Sequence, residues 1–256
     1  STKAPIDETP LGTFEEELNN YKIRMSKLIP FPQDEVIILG MGVTRKLCPW
    51  DAEVWSVNMG YQQVAMQEGH VEKIFMAHTQ TRDIYGRNMF KWEHFNQMTD
   101  AGIEIWNIHK VKGLKSKLFP LKRLIKKYGT DYFGNTIAYM IVWAIELGKK
   151  KIRLYGVDMR TQQEYGWEKG SLEYWIGYAR GRGLQVDICD GSYLLKTITG
   201  KPYGIKYWKM KDVDPFGLLR RKKLPQDLPS SSQLIEATKS TELPLPPGRL
   251  TPWVQL

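Results

Sequence analysis

The segment that decides the fold is residues 36–61, VIILGMGVTRKLCPWDAEVWSVNMGY. Its apolar run stops at Gly40 and Gly42, as a buried strand does when it opens a ligand-binding turn. Arg45 stands where the dinucleotide pattern G-x-G-x-x-G needs its third glycine. The next strand begins only about a dozen residues later, too soon for an easy crossover helix, and ends at neutral Asn58. The segment therefore predicts a nucleotide loop that differs from the NAD fingerprint.

Short apolar runs alternate with helical patterns along the rest of the chain. The predicted strands are EVIILG, EVWSVN, KIFMAH, IEIWNIH, KIRLYGVD and LQVDIC, and the predicted helices cover 60–68, 88–100, 119–128, 135–147 and 170–181. Such alternation is typical of an α/β fold with a mainly parallel sheet. We therefore predict a single Rossmann-like nucleotide-binding domain over residues 34–195.

The segments on either side have a different character. Residues 1–33 read as a disordered arm and an amphipathic helix, with one apolar stripe formed by Phe14, Leu18, Tyr21, Met25 and Leu28. This helix is expected to dock on the body or on another subunit, so a homo-oligomer through it is a prediction. Residues 196–223 are a basic, aromatic extension, and residues 224–256 are a tail with six prolines.

The positive charge is concentrated in two segments. Residues 110–127 hold eight Lys/Arg and no acidic residue, and residues 196–223 carry a net charge of +7. The whole chain carries only +9, so the remainder is acidic. This pattern favours a polyanionic partner such as DNA, although two solvated loops would give the same pattern.

Two cysteines, Cys48 and Cys189, show no metal-binding spacing and are expected to be buried thiols in a reducing compartment. No apolar stretch is long enough to cross a membrane, and no signal pattern opens the sequence. We therefore expect a cytoplasmic protein without a membrane partner.

Polar residues at the ends of the predicted strands are the candidate site residues, because a parallel sheet binds ligands at the carboxyl ends of its strands. Asn135 or Thr136 is expected to cap an apolar helix and leave its N–H groups free for an anion. His78 and His109 follow two strands and are candidate bases, although a lone histidine in such a place is more often structural or on the surface. The other candidates are Gly40, Gly42, Thr44, Asn58, Gly134, Gly156, Asp158 and Arg160.

Four of these segments occur in an order and spacing that resembles a known family. They are ILGMGVT, VWSVN, GNTIAYMIVWAIELGKKKIRLYGVDM and QVDICDGSYLL. The chain resembles the bacterial family-42 sialyltransferases, motility-associated glycosyltransferases and uncharacterised phage relatives over roughly residues 35–195.

The resemblance implies that a nucleotide sugar is bound without a metal ion. By position, the nucleotide would be lined by Gly42, Thr44, Asn58, Asn135, Thr136, Gly156 and Asp158. In the sialyltransferases two lid tyrosines stabilise the leaving phosphate; Tyr165 lies close to one such place, and Arg160 replaces the other. The family's histidine base is missing, and Glu168 is the nearest carboxylate.

The leading hypothesis is a metal-independent glycosyltransferase with a nucleotide-sugar donor, and the charge distribution favours a nucleic-acid acceptor such as hydroxymethylated bases in phage DNA. One alternative is a binding protein for a nucleotide ligand or nucleic acid that does no chemistry. Another is a pyrophosphoryl transferase, which would require ATP and Mg²⁺.

Overall fold

The computed structural model of the protein describes residues 13–25, 30–58, 69–80, 91–160 and 164–196. Within these residues, seven parallel strands form one central sheet. The strands are β1 (Glu35–Leu39), β2 (Glu53–Val57), β3 (Lys73–Met76), β4 (Glu104–Asn107), β5 (Lys117–Leu118), β6 (Lys151–Tyr155) and β7 (Gln185–Ile188). Their spatial order is β5-β4-β3-β2-β1-β6-β7. The predicted α/β fold with a parallel sheet is confirmed.

The order of the strands reverses at β1. From β1 the chain builds outward to β5, and it then returns to place β6 on the free side of β1, so that Ile38 is paired with Trp55 of β2 and Leu154 of β6. A crevice opens at such a reversal, because the connections leave the two strands toward opposite faces of the sheet. The fold therefore predicts a ligand site beyond the carboxyl ends of β1 and β6.

Five helices cover the two faces of the sheet in the described part of the chain. They are α1 (Phe14–Met25), α2 (Trp92–Asp100), α3 (Leu121–Tyr128), α4 (Thr136–Glu146) and α5 (Lys169–Gly181). Side chains of α3, α4 and α5 share one core with Val36 and Ile38, while α1 and α2 share the other with Ile37 and Leu39. Strand β1 is thus buried on both faces, which explains its continuous apolar sequence.

The connection from β1 to β2 has no crossover helix. It contains only a 3₁₀ turn, Val43–Leu47, before β2 pairs in parallel with β1. The prediction of a short return is therefore confirmed. Strand β5 was not predicted, because it is two exposed residues long within the basic segment and lacks the apolar run by which the other strands are recognised.

The apolar stripe of α1 packs on the body of the same chain. Leu18 and Tyr21 are buried, the hydroxyl of Tyr21 donates to the carbonyl of Val71 at 2.7 Å, and Phe14 stacks on His94 with ring centroids 4.1 Å apart. Helix α1 therefore docks on the body of its own chain, which is the first of the two predicted alternatives. The homo-oligomer through α1 stays a prediction.

Several predicted features lie outside the described residues. They are the helix at 60–68, the first residues of the helix at 88–100, the extension from 197 to 223, and the tail at 224–256. Both cysteines are free thiols. Cys48 is buried as predicted, whereas Cys189 is only half-buried, and burial raises the pKa of the Cys48 thiol to about 12 and also raises that of Cys189. None of the described helices has the length and apolar character that a membrane crossing requires.

Candidate functional site

A cavity of about 440 Å³ opens where the strand order reverses. Its walls come from the loops after β1, β2 and β6, from the N-terminus of α4, and from a π-helical turn, Glu164–Glu168, that leads into α5. The described residues that line it are Gly40, Met41, Gly42, Val43, Val57, Asn58, Asn135, Thr136, Ile137, Gly156, Val157, Asp158, Met159, Arg160, Glu164 and Glu168. The structure thus brings together most of the predicted site residues.

The glycines of the first loop let two loops touch. The N–H of Gly40 donates to Tyr155 at 2.8 Å and that of Gly42 donates to Gly156 at 2.7 Å. A Cβ on Gly40 would lie 2.3 Å from the carbonyl oxygen of Gly156, and one on Gly42 would lie 2.6 Å from the carboxylate of Asp158. The sequence predicts a ligand-binding turn at these glycines, and in the structure their closest neighbour is the loop after β6.

Thr44 and Asp158 form a buried, hydrogen-bonded pair, each only 5% exposed. The hydroxyl of Thr44 accepts from the N–H of Gly156 at 2.8 Å and donates to Asp158 Oδ1, while the N–H of Thr44 donates to Asp158 Oδ2 at 3.2 Å. Thr44 does not line the cavity. Its hydrogen bonds fix the two loops to each other, and its predicted ligand contact stays a prediction.

Arg45 closes the first loop on itself. Its Nη1 donates to the carbonyls of Met41 at 2.5 Å and Gly42 at 3.1 Å. The place of the missing third glycine is therefore occupied by a side chain that satisfies loop carbonyls, and the sequence pattern alone gave no sign of this.

Asn58 ends β2 with an unusual backbone and an unsatisfied side chain. Its φ is +47°, in the left-handed region that asparagine tolerates better than most residues. Its side-chain Oδ1 is shielded from solvent and has no hydrogen-bond partner in the described part of the chain. A buried, unpaired amide oxygen is costly, so a lining residue of this kind is an acceptor available to a ligand.

The N-terminus of α4 faces the cavity, and Asn135, one of the two predicted caps, is its N-cap. Its Oδ1 accepts from the N–H of Ala138 at 3.1 Å. The first two N–H groups, those of Thr136 and Ile137, have no acceptor within the helix and belong to cavity-lining residues. Gly134 lies behind the wall, where its N–H donates to Ser171 Oγ at 2.7 Å. The helix end is suited to an anion.

The loop after β6 and the π-helical turn contribute one arginine and two carboxylates to the wall of the cavity. Glu168 accepts from the Nδ2 of Asn135 at 2.9 Å. The N–H of Arg160 donates to Glu164 at 2.9 Å, and its guanidinium donates to the carbonyl of Gly191 at 3.3 Å. Glu164 was missed from the sequence, where it is one polar residue in a polar segment. The side chain of Tyr165 lies outside the described part of the structure.

The two histidines lie elsewhere. His78 follows β3 and His109 follows β4, and neither lines the cavity. Asn107 ties the two loops, because its Nδ2 donates to the carbonyl of His78 and its Oδ1 accepts from the N–H of His109, both at 2.9 Å. Burial lowers the pKa of His78. No group of three His, Cys, Asp or Glu with metal-binding geometry occurs among the described residues.

No protein-family description matches the chain, and no curated protein is significantly similar to it. The chain is similar in structure to bacterial sialyltransferases. This agrees with the resemblance found in the sequence.

Three solved structures illustrate the similarity, all from Campylobacter jejuni. The sialyltransferase CstII in complex with cytidine-5'-monophosphate has 16% identity and a TM-score of 0.42, over 63% of this chain and 82% of that chain. An α-2,3-sialyltransferase in apo form has 19% identity and a TM-score of 0.39, over 63% and 77%. The monofunctional α-2,3-sialyltransferase Cst-I has 15% identity and a TM-score of 0.42, over 84% and 98%.

Proposed function

We propose that the protein is a glycosyltransferase that uses a nucleotide-sugar donor. The observation that carries the proposal is the combination, in one cavity, of three kinds of group. Asn58 offers an unpaired amide acceptor, the N-terminus of α4 offers free N–H groups, and Glu168 stands on the wall formed by the π-helical turn. These suit, in turn, a nucleoside, a phosphate and an acceptor hydroxyl.

The chemistry follows from this arrangement. The bond between the anomeric carbon of the sugar and the phosphate oxygen breaks, and its electron pair leaves with the phosphate. The oxygen of the acceptor forms a bond to that carbon while its proton passes to Glu168. The N–H groups of Thr136 and Ile137, with the cation of Arg160 on the rim, stabilise the charge that develops on the departing phosphate.

The positive groups of the cavity favour transfer without a metal ion, so EDTA is expected to leave the rate unchanged. Arg160→Gln removes the cation and keeps a side chain that can donate a hydrogen bond. We expect it to lower kcat about 10-fold to 100-fold while the affinity for the free nucleoside changes little. A rate that falls with EDTA and returns with Mg²⁺ would contradict this part of the proposal.

Isothermal calorimetry with CMP, UDP, GDP and ADP, followed by mass spectrometry with the matching nucleotide sugars, tests the proposal. We expect one nucleotide to bind, Asn58→Ala to weaken that binding about 10-fold, and the matching donor to be transferred or hydrolysed. If no nucleotide binds with a Kd below about 1 mM, the proposal fails. Binding without transfer or hydrolysis would support the alternative of a non-catalytic nucleotide-binding protein.

A nucleic acid is a candidate for the acceptor substrate. This proposal rests on the basic segment 110–127. Half of its basic residues are paired with acidic residues of the body: Lys115 with Asp100, Lys117 with Glu104, and Arg123 and Lys127 with Glu146. The others, Lys110, Lys112, Lys122 and Lys126, are exposed and supply the positive surface. If DNA with hydroxymethylated bases is the acceptor, its use falls steeply with salt.

A further inference from the structure

The β5 end of the sheet is surrounded by basic side chains that lie outside the cavity. All eight Lys/Arg of residues 110–127 are exposed, and none of them lines the cavity. The loop that carries the first of them follows β4, and α3, which carries the last, follows the edge strand β5. We refer to these eight residues as the basic surface: Lys110, Lys112, Lys115, Lys117, Lys122, Arg123, Lys126 and Lys127.

The body of the protein neutralises only part of this charge. Within the described part of the chain, the ion pairs of the basic surface use three carboxylates, those of Asp100, Glu104 and Glu146, and Glu146 serves two cations. Eight cations against three carboxylates leave an excess of five positive charges. Four lysines have no carboxylate within ion-pair distance among the described residues, and we call them the unpaired lysines: Lys110, Lys112, Lys122 and Lys126. An excess of one sign attracts a partner of the other.

Helix α2 fixes the loop that precedes β5. Asn96 Nδ2 donates to the carbonyl of Gly113 at 2.8 Å, and Asn96 Oδ1 accepts from the N–H of Lys115 at 2.7 Å. The hydroxyl of Thr99 donates to the carbonyl of Lys115 at 3.1 Å. The lysines of this loop therefore extend from a backbone that is held in position by the body of the protein.

Helix α3 presents a basic face to solvent. Leu124 is fully buried, and Leu121 and Tyr128 pack on the same core, so the apolar side of the helix faces inward. Lys122 and Lys126 are four residues apart, and residues with this spacing are neighbours on one helix face, about 6 Å apart. Because α3 has no exposed apolar face that could enter a bilayer, an anionic membrane is disfavoured as the partner.

The basic surface carries no exposed aromatic ring. Within residues 104–128, Trp106 and Tyr128 are half-buried and Phe119 is buried, whereas the large apolar side chain that is exposed is Leu118. Single-stranded nucleic acids are bound by aromatic side chains on which their bases stack. A duplex keeps its bases stacked inside and displays a phosphate about every 1.7 Å along its axis. Positive charge without exposed rings therefore fits a duplex better than a single strand.

The basic surface begins at the same edge of the sheet as the cavity. Lys117 and Leu118 of β5 pair with Trp106 and Asn107, the last residues of β4, so α3 starts beyond the carboxyl ends of the strands. The cavity lies beyond the carboxyl ends of β1 and β6. Three strand spacings, roughly 14 Å, separate β4 from β1. A duplex held by the basic surface would therefore run close to the cavity.

We infer that the basic surface binds the phosphate backbone of a duplex nucleic acid, independently of its sequence. The unpaired lysines supply the contacts, because the ammonium groups of the other lysines already meet carboxylates of the body. The inference deepens the nucleic-acid candidate given above and rests on the proposed function only for the use of the duplex as acceptor. Binding of the duplex itself requires no donor and no transfer.

Fluorescence anisotropy with a labelled duplex of about 20 base pairs, titrated with the full chain between about 50 and 200 mM NaCl, tests the inference. No nucleotide sugar is added. We expect the logarithm of the affinity to fall linearly with the logarithm of the salt concentration. Lys122→Gln/Lys126→Gln is expected to weaken binding about 10-fold and to reduce the slope by about 2, and replacing all four unpaired lysines by glutamine is expected to reduce it by about 4.

Lys22→Gln/Lys150→Gln is the matched control, because it removes the same charge from exposed residues of α1 and of the loop before β6. Its affinity for the duplex is expected to stay within about 2-fold of the wild type, since charges outside the contact are screened by salt. Both double variants are expected to keep the melting temperature of the wild type. Their affinity for the free nucleotide is also expected to be unchanged, because none of the four residues lines the cavity.

The single strand of the same sequence and vesicles of phosphatidylcholine and phosphatidylserine are measured in parallel, and both are expected to bind more weakly than the duplex. Tighter binding of either one would overturn the inference. So would a Lys122→Gln/Lys126→Gln variant with the affinity and salt slope of the control, which would show that the duplex is held elsewhere in the chain.

The inference and the proposed function fail separately. If the duplex binds through the unpaired lysines and no nucleotide binds, the proposed function fails and the inference stands. If a nucleotide binds and the duplex does not, the inference is wrong and the transferase uses another acceptor.

Discussion

The carboxamide of Asn135 joins the N-terminus of α4 to Glu168. Its Oδ1 accepts from the N–H of Ala138 at 3.1 Å, and its Nδ2 donates to Glu168 Oε2 at 2.9 Å. One side chain therefore caps the helix that faces the proposed phosphate and orients the carboxylate that faces the proposed acceptor. Both halves of the site depend on it.

Asn135→Ser separates these two tasks, because serine is also a good N-cap but has no amide donor for Glu168. We expect turnover of the donor to fall about 10-fold, since a hydrogen bond to a charged group is lost, while thermal stability stays close to that of the wild type. Asn135→Ala, which loses the cap as well, is expected to be about 1 kcal/mol less stable. Unchanged turnover in Asn135→Ser would show that Glu168 is oriented by other contacts.

Thr44→Val tests the buried hydrogen bonds of Thr44 to Gly156 and Asp158. The valine leaves the N–H of Gly156 and the buried carboxylate of Asp158 without their hydroxyl partner, so we expect a loss of about 2–4 kcal/mol in the free energy of unfolding. Thr44→Ser keeps the hydroxyl and loses one methyl group, at a cost of about 1 kcal/mol. Denaturant titration compares them, and a loss in Thr44→Ser as large as that in Thr44→Val would show that the hydroxyl matters no more than the methyl group.

Gly42→Ala tests the contact between the two loops. The φ of Gly42 is −65°, which alanine adopts freely, so any loss comes from the Cβ at 2.6 Å from the carboxylate of Asp158. We expect the free energy of unfolding to fall by about 1–3 kcal/mol and nucleotide binding to weaken. The matched control is Gly177→Ala in α5, where a Cβ has no neighbour within 4 Å and should add about 0.5–1 kcal/mol.

Glu72→Gln tests a pH dependence of stability away from the site. Burial raises the pKa of Glu72 to about 7, aided by the nearby charge of Glu53, although the N–H of Val54 and Lys73 act in the opposite direction. The folded protein thus retains a proton that the unfolded chain releases above its ordinary pKa. Glu72 therefore does not lower the free energy of unfolding below pH 4.5, and it lowers that free energy progressively as the pH rises toward about 7.

Glutamine imitates the protonated acid, so relative to the wild type Glu72→Gln should gain stability between pH 5 and pH 8, by about 1–2 kcal/mol. Glu104→Gln is the control of opposite sign. Burial raises the pKa of Glu104, but hydrogen bonds from Lys117 and Trp106 outweigh it and lower the pKa overall. Ionised Glu104 therefore stabilises the folded protein above its ordinary pKa, and this stabilisation disappears as the pH falls. Glu104→Gln should thus be less stable than the wild type at neutral pH. If the difference in stability from the wild type depended on pH in the same way for both variants, the opposite pKa shifts of Glu72 and Glu104 would be contradicted.

The sequence predicted the elements whose signals are local. Strand β1 is recognised by its apolar run, and α4 by Asn135 followed by residues that are nearly all apolar. Strand β5 was not recognised, since two exposed residues carry no periodicity and pair only because β4 lies beside them. Local pattern reflects burial along one element, and an edge strand this short has too little burial to leave a pattern.

The candidate site also combines residues that the sequence identifies with contacts that only the packing of the sheet decides. Glycines, Asn58 and Asp158 stand out in the sequence because strand ends in a parallel sheet are where polar residues meet a ligand. That Thr44 bonds Asp158 across 114 positions of the chain, or that Arg45 bonds the carbonyls of its own loop, is decided only when β6 is placed beside β1. Residue types and spacing specify which strands and helices form, whereas partners distant in sequence are chosen by the packing of the sheet.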